Sequence, residues 1–204
     1  YGMIKKARDL AAIELYTMIR PRGGDFLYSS DEFEAMKEDI KICKQLGCDG
    51  VVLGILTADG TVDKQRTAAL VELAYPMGVT FHRAFDRVRN PFEALETLVD
   101  IGCERVLTSG LMPNVTAGKE VLKELIIAAN ERIIVMPGSG IRHTNIAEIA
   151  HYTGAVEFHT SARTQLATAM HYQNSGMNEA LMSYTVDKTE IDLCLQKLKE
   201  LTTH

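Results

Sequence analysis

The sequence predicts an α/β fold of the TIM-type (β/α)8 barrel class, formed by a single domain over residues 1–204. Short apolar runs rich in β-branched residues recur along the chain, segments of helical period separate them, and two helix-to-strand junctions are nearly alike. Alternating strands and helices form a parallel sheet covered by helices, either closed as a barrel or open and doubly wound. Because several runs mix polar with apolar residues, which a barrel interior tolerates, we favour the barrel.

Six segments are predicted to be strands. Each is short and apolar enough for a buried strand of a parallel sheet. They are residues 13–19, 51–56, 79–85, 105–109, 133–136 and 155–160. A full barrel has eight strands and about 250 residues, and this chain opens in a predicted helix, residues 3–10. We therefore expect the first two β/α units of the barrel to be missing.

Two of the predicted helices end at matching junctions. Residues 31–46 and 91–101 have apolar positions at helical spacing, and Pro91 suits the first turn of its helix. Gly47 and Gly102 follow these helices, in the sequences Leu-Gly-Cys-Asp and Ile-Gly-Cys-Glu. Glycine commonly ends a helix in a left-handed conformation. The repeated junction indicates one supersecondary unit that is used more than once.

The last part of the chain has a different character. Residues 170–185 are polar and irregular, and we predict a flexible loop there. Asp187 then caps a final helix, with Glu190 three residues later as in a capping box. Apolar residues at helical spacing continue to Leu201 and predict the last outer helix of the fold.

Composition argues against several classes of protein. Of the residues, 46% are hydrophobic and 24% are charged, which is typical of a folded domain. The net charge is −5 and no basic run is present, so nucleic acid is not an expected partner. No apolar stretch approaches the roughly 18 residues that cross a bilayer, so a membrane is not an expected partner either.

The cysteines carry information about compartment. The spacings of Cys43, Cys48, Cys103 and Cys194 fit neither a zinc knuckle nor a CxxC redox pair. We interpret them as small buried hydrophobic residues. Free thiols in a chain without an export signal predict a cytoplasmic location, where thiols stay reduced.

Alternation along the strands predicts which side chains face the barrel interior. Successive residues point to opposite faces of a sheet, and the phenylalanines of two predicted strands should face the helices. That orientation turns a polar set inward: His82, Glu157, His159 and Ser161. Because an unpaired charge in the interior would be costly, we expect Arg20, at the end of its strand, to pair with Glu157 directly or through a histidine. The alternative is a purely structural polar plug.

Glycine turns and arginines predict an anion site at the carboxyl ends of the strands, where barrel enzymes place their active sites. The turn Gly138-Ser139-Gly140 follows a strand directly, so its backbone N–H groups could turn toward a ligand. A second glycine turn, residues 21–26, lies beside arginines, which suit carboxylate or phosphate. The candidate anion-binding residues are Arg20, Arg22, Arg83, Gly138, Ser139, Gly140, Ser161 and Arg163. A tight turn with an N-capping hydroxyl is the alternative interpretation of Gly138 to Gly140.

His82, His159 and Glu157 are the candidates for catalysis. A histidine can be tuned to titrate near neutral pH and act as a general acid or base, and Glu157 would orient or neutralise it. His82 and His159 are also candidate metal ligands, although Cu(I) prefers thiolate or thioether sulfur. Hydrogen-bonded structural histidines are the alternative interpretation.

Several longer motifs resemble the copper homeostasis protein CutC family. In the family's order they are MIRPRGGDF from Met18, TFHRAFD from Thr80, RVLTSG from Arg105, MPGSG from Met136 and EFHTSAR from Glu157. The resemblance spans about residues 1–165. It implies a TIM-type barrel, a cytoplasmic location, a homo-oligomer (dimer or tetramer), and copper homeostasis with Cu(I) as the bound metal. The family's barrel begins with two further strands, so copper ligands on those strands would be absent here.

Two functions therefore stand as hypotheses. The resemblance implies a CutC-type copper homeostasis protein that binds and handles copper. The polar residues at the strand ends favour instead an enzyme or sensor that binds a small phosphorylated or carboxylated metabolite. Whether the chain is an enzyme stays open at this point.

Overall fold

The computed structural model describes residues 1–174, 176–177 and 181–202. Its main sheet has five strands within the described residues: β1 Tyr16–Met18, β2 Gly50–Leu53, β3 Gly78–Phe81, β4 Arg105–Thr108 and β5 Ile134–Pro137. The helices are α1 Gly2–Leu10, α2 Ser30–Gln45, α3 Lys64–Ala74, α4 Pro91–Asp100, α5 Lys119–Ala129, α6 Ile146–Thr153 and α7 Lys188–Thr202. The helices predicted at 3–10, 31–46 and 91–101 are confirmed within about one residue.

The order of the strands decides between the two architectures. Each strand of the main sheet pairs in parallel with the next strand along the chain, so the order never reverses. Parallel crossovers are almost always right-handed, and an order without reversal therefore keeps the helices on one face. A doubly wound sheet reverses its order and has helices on both faces. The α/β fold is thus wound in the sense of a barrel, as predicted.

The strand register separates a helix-facing side from a concave side. Leu53, Phe81 and Val106 are aligned across β2, β3 and β4 and are fully buried in the core with the helices. The next row on the opposite side contains Thr80 and Arg105. The predicted alternation is therefore correct for the strand that carries Phe81, and it places polar groups on the concave side.

The predicted helix-to-strand junction recurs after α2 and α4. Gly47 and Gly102 adopt left-handed conformations, with φ of 72° and 82°. In each case the amide after the glycine donates to the carbonyl five residues earlier, Cys48 to Cys43 and Cys103 to Leu98, at 3.0 Å. This is the Schellman arrangement, which satisfies carbonyls at the end of a helix. The repeated unit inferred from the two Gly-Cys sequences is confirmed.

Two of the predicted strands need correction. Residues 155–160 contribute only a single parallel bridge, between Gly138 and His159, rather than a sixth strand of the sheet. The segment 79–85 leaves the sheet after Phe81 and continues as a short 3-10 helix, Arg83–Arg87. The side chain of His82 caps that helix by accepting the Ala84 amide, so the chain turns where strand alternation was expected to continue.

A pair of antiparallel strands lies outside the main sheet. The strands are β6 Arg163–Ala167 and β7 Met182–Val186, and all of their residues are exposed. The flexible loop predicted over 170–185 therefore ends in a strand. Residues 175 and 178–180 of that prediction lie outside the described residues. Asp187 accepts the Glu190 amide at 3.2 Å and caps α7, as predicted. Across the described ranges, none of the helices combines the length and hydropathy of a membrane span.

Candidate functional site

The loops at the carboxyl ends of β1 to β4 surround a cleft of about 990 Å3. Barrel proteins place their ligand sites at this end of the strands. The side chains that carry its chemistry are Arg20, Phe26, Arg83, Asp86 and Arg87. We therefore take this cleft as the candidate functional site.

Arg20 forms one wall of the cleft. Its guanidinium lies over the ring of Phe26, 4.8 Å from the centroid, and donates to the Gly24 carbonyl at 2.9 Å. The turn folds back in this way because Gly24 adopts a left-handed φ of 86°. Across the described residues, no carboxylate lies within salt-bridge distance of Arg20. The guanidinium therefore keeps donors for an anion in the cleft.

His82 is buried against the same wall. Its ring lies 5.0 Å from Phe26, and it needs glycine at position 54, where a Cβ would come within 2.5 Å of Nδ1. Nδ1 accepts the Ala84 amide at 3.2 Å, so the proton of the neutral ring belongs on Nε2. Nε2 is buried and lacks a hydrogen-bond partner among the described residues.

The protonation state of His82 follows from this burial. Loss of solvent around the ring, with a smaller repulsion from Arg20, lowers the pKa of His82 to about 4. The ring is therefore neutral at pH 7. It can donate a hydrogen bond through Nε2, but it is a poor proton acceptor at neutral pH.

Asp86 organises the opposite wall. One carboxylate oxygen accepts the Thr108 hydroxyl at 2.5 Å and the amides of Ser109 and Leu111 at 2.9 and 3.1 Å. The other accepts Arg83 Nε at 2.6 Å and the Ser109 hydroxyl at 3.1 Å. The Asp86 side chain is only 5% exposed. Through these hydrogen bonds it holds the loop after β4 in place and fixes the position of Arg83. The sequence analysis did not identify this organising role of Asp86.

Arg22 does not contribute to the cleft. Its guanidinium bonds Glu32 at 2.6 Å, Asp25 at 2.8 Å and the Leu27 carbonyl. These partners use its donors to hold the start of α2. Of the two arginines in the predicted turn, only Arg20 lines the cleft.

The turn at Gly138 to Gly140 packs against the loop after β4 rather than lining the cleft. Ser139 has a left-handed φ of 81°, and its hydroxyl donates to the Pro113 carbonyl at 3.0 Å. A Cβ at Gly138 would come within 2.4 Å of Leu107, so glycine permits this close approach. The hydroxyl is therefore used within the fold.

His159, Ser161 and Arg163 also lie outside the residues that line the cleft. His159 sits beside Gly138, and partial desolvation lowers its pKa. Arg163 belongs to β6, where its guanidinium lies over the Tyr184 ring at 5.3 Å. Ser161 is exposed between them. The structure thus places Arg20 and Arg83 in the cleft, with His82 packed against Phe26 in the wall that carries Arg20. His159, Ser161 and Arg163 lie apart from them.

The predicted ion pair between Arg20 and Glu157 is wrong. Glu157 accepts two hydrogen bonds from Arg105, at 2.5 and 3.3 Å. Arg105 also donates to the Tyr16 hydroxyl at 2.8 Å and pairs with Glu104 at 2.6 Å. Since Arg105 and Tyr16 begin their strands, this network lies at the amino ends, whereas Arg20 lies beyond the carboxyl end of β1.

The candidate metal ligands do not form a recognisable metal centre. His82 packs over Gly54 and His159 beside Gly138, at the ends of different strands. Across the part of the chain that the structure describes, there is no group of three or more His, Cys, Asp or Glu side chains placed to hold a metal. The four cysteines are buried free thiols, as predicted.

Comparisons of the sequence with known proteins cover most of the chain. The model of the CutC family matches residues 1–164. A CutC family protein of Chromobacterium violaceum is 52% identical over 177 residues, which are 87% of this chain and 72% of that protein. A copper homeostasis protein cutC homolog of Mus musculus is 46% identical over 194 residues, 93% of this chain and 71% of that protein.

Solved structures give a consistent result. The crystal structure of CutC from Streptococcus agalactiae superposes with a TM-score of 0.75 and 33% identity, covering 78% of this chain and 79% of that one. A native KDPGal structure superposes with a TM-score of 0.55 at 13% identity, covering 100% of this chain and 76% of that one. The second likeness supports the fold alone.

Proposed function

The chain belongs to the CutC family, and from that premise we propose that it serves in copper homeostasis by binding copper as its cargo. The observation that carries the proposal is the similarity to the copper homeostasis protein cutC homologs of Mus musculus and Homo sapiens. They are 46% and 44% identical to this chain over 93% of its length. Cu(I) is the expected form, because soft thiolate and thioether ligands select it and the described cysteines are all free.

A titration with Cu(I) under anaerobic conditions tests this role. The full chain would compete for Cu(I) with a chromophoric chelator, and we expect it to withdraw copper stoichiometrically. A variant with all four cysteines replaced by serine should lose this ability, because thiolates are the strongest soft ligands available. Failure of the unaltered chain to withdraw copper would contradict the proposal.

We also propose a cytoplasmic protein that forms a homo-oligomer, a dimer or a tetramer. Free thiols support a reducing compartment. The exposed β6–β7 pair supports contact between copies, because an isolated two-stranded sheet is only marginally stable in water. Light scattering of the purified chain would give its mass in solution, and a monomer at all concentrations would contradict the oligomer.

The cleft supports a second candidate function, an enzyme or sensor for a small phosphorylated or carboxylated metabolite. The observation that favours it is Arg20, whose guanidinium lines the cleft without a carboxylate partner among the described residues. Buried His82, against the same Phe26 ring, has an Nε2–H without an acceptor. An anion held by Arg20 would bring oxygen acceptors to this wall.

Two arginine variants test the cleft with a matched control. Thermal shifts would be measured with inorganic phosphate and with a panel of sugar phosphates and carboxylates. A ligand that stabilises the unaltered chain should lose its effect on Arg20→Ala and keep it on Arg22→Ala, because Arg22 is engaged with Glu32 and Asp25. Equal responses of both variants would contradict an anion site at Arg20.

A further inference from the structure

Two of the four thiols lie together at the amino ends of the strands, on the opposite end of the sheet from the cleft. Cys43 is fully buried on the sheet-facing side of α2, and Cys48 lies just before β2 with 6% of its surface exposed. The Thr17 hydroxyl of β1 lies 3.5 Å from the Cys48 sulfur. The Cys43 thiol lies close enough to this hydroxyl and to the Cys48 thiol for both to affect its pKa.

The backbone fixes this pair in place. The Schellman arrangement after α2 bonds the Cys48 amide to the Cys43 carbonyl at 3.0 Å, and in such motifs the side chains of these two positions contact each other. The junction after α4 has the same backbone bonds, with Leu98 and Cys103 at the matching positions. The same backbone arrangement therefore occurs at both junctions, but only the first has sulfur at both matching positions.

The local charges favour a soft cation between the two sulfurs. The carboxyl end of a helix carries partial negative charge, which disfavours a bare thiolate and favours a cation. On the outer side, Arg8 of α1 is paired with Asp49 at 2.6 Å.

We propose that Cys43 and Cys48 form a two-thiolate binding site for a soft monovalent cation, which is Cu(I) in the cell. The choice of Cu(I) rests on the proposed copper role, while the site itself rests on the juxtaposed thiols and Thr17. On binding, each sulfur loses its proton to solvent and donates a lone pair to the metal, and no electron is transferred. The Thr17 hydroxyl supports the sulfurs from the side of β1.

The test is an anaerobic Cu(I) titration of the full chain against a chromophoric Cu(I) chelator. Cys43→Leu is the key variant, because it gives this junction the same two residues as the junction after α4, where Leu98 is fully buried. We expect Cys43→Leu to lose one bound equivalent of copper, whereas Cys103→Ser should bind as the unaltered chain does. Thr17→Val should weaken Cu(I) binding about 10-fold, as loss of a group that supports metal ligands does.

The outcomes separate this site from the proposed function. If the unaltered chain and Cys43→Leu bind copper equally well, the Cys43–Cys48 site is wrong, and the copper must bind elsewhere in the chain. No copper bound by the unaltered chain would overturn both. X-ray absorption of the copper-loaded unaltered chain does not depend on any variant folding: a shell of sulfur alone is expected, and a shell containing nitrogen would overturn the site.

Discussion

His82 stays neutral in the folded protein because its ring is buried and only Nδ1 finds a partner. In the unfolded chain the ring takes up a proton near pH 6.5, and in the folded chain only near pH 4. Between these values the unfolded state binds more protons than the folded state. The contribution of the neutral ring to the free energy of unfolding is therefore fully present above about pH 6.5 and is lost as the pH falls toward 4. The difference corresponds to about 3 kcal/mol.

Urea unfolding measured between pH 7.5 and 4.5 checks this prediction. Over this range the free energy of unfolding of the unaltered chain should fall by about 2.5 kcal/mol more than that of His82→Gln, which cannot take up the proton. His151→Gln, at an exposed position of α6, serves as the control and should follow the unaltered chain. Parallel pH profiles for the unaltered chain and His82→Gln would contradict the assigned burial effect.

At the candidate site, the sequence predicted the positions of some side chains but not their partners. The position of Arg20 at the end of its strand correctly suggested the mouth of the barrel, and it lines the cleft. The partner of Arg20 was wrongly assigned as Glu157. The alternation of residues along a strand predicts which face of the sheet a side chain occupies, but not whether it lies near the amino or the carboxyl end of the barrel. Arg105 and Glu157 share a height at the amino ends. The partners of Arg22, Asp25 and Glu32, could not be predicted because they depend on how the turn folds back.

Helices with capping residues in the sequence could be predicted, whereas strands without a buried face could not. The helix that became α2 has a capping box between Ser29 and Glu32, and α4 has Pro91 with an Asn90 cap. By contrast, β6 and β7 are exposed along their whole length. Alternation of apolar and polar residues arises only when one face is buried, so this pair leaves no such pattern in the sequence.

The attachment of α7 depends on Glu190, which is nearly buried. Its carboxylate accepts the amide and the ring Nδ1 of His143 at 2.8 and 2.7 Å, and the Cys194 thiol at 3.5 Å. Burial opposes ionisation, but the bonds from His143 outweigh it, so the pKa of Glu190 lies below its usual value. The carboxylate therefore stabilises the folded state above the ordinary glutamate pKa, and this contribution is lost as the pH falls through the lowered value.

Replacing this carboxylate should loosen the final helix. Glu190→Gln places an amide group where acceptors are needed and should cost about 2 kcal/mol of stability. Equilibrium denaturation at pH 7 would measure the cost. Glu200→Gln, farther along the same helix and about half exposed, is the control and should change stability by less than about 0.5 kcal/mol. A similar small effect for both variants would contradict the role of Glu190.

For the whole molecule, the main sheet and the β6–β7 pair should differ in local stability. The main sheet is covered by a continuous core of buried residues, whereas the pair has no buried residue. Backbone amides in such an exposed pair open readily. In dilute solution we therefore expect the amides of β6 and β7 to exchange with deuterium much faster than those of β2 to β4.

Hydrogen exchange at several protein concentrations checks this prediction and bears on the proposed oligomer. If copies associate through the pair, protection of β6 and β7 should rise with concentration while that of the main sheet stays unchanged. Strong protection of the pair at the lowest concentration, in a chain shown by light scattering to be monomeric, would contradict its exposure in the fold.

The repeated junction after α2 and α4 has a consequence for how metal sites can arise. Gly47 and Gly102 set the backbone at each junction, so the two facing side chains are interchangeable without a change of fold. A single substitution at such a position can therefore replace an apolar side chain by a metal-binding one while the glycine keeps the backbone junction. Leu98→Cys should therefore transplant the thiol pair to α4, and the copper bound in the same titration would rise by one equivalent.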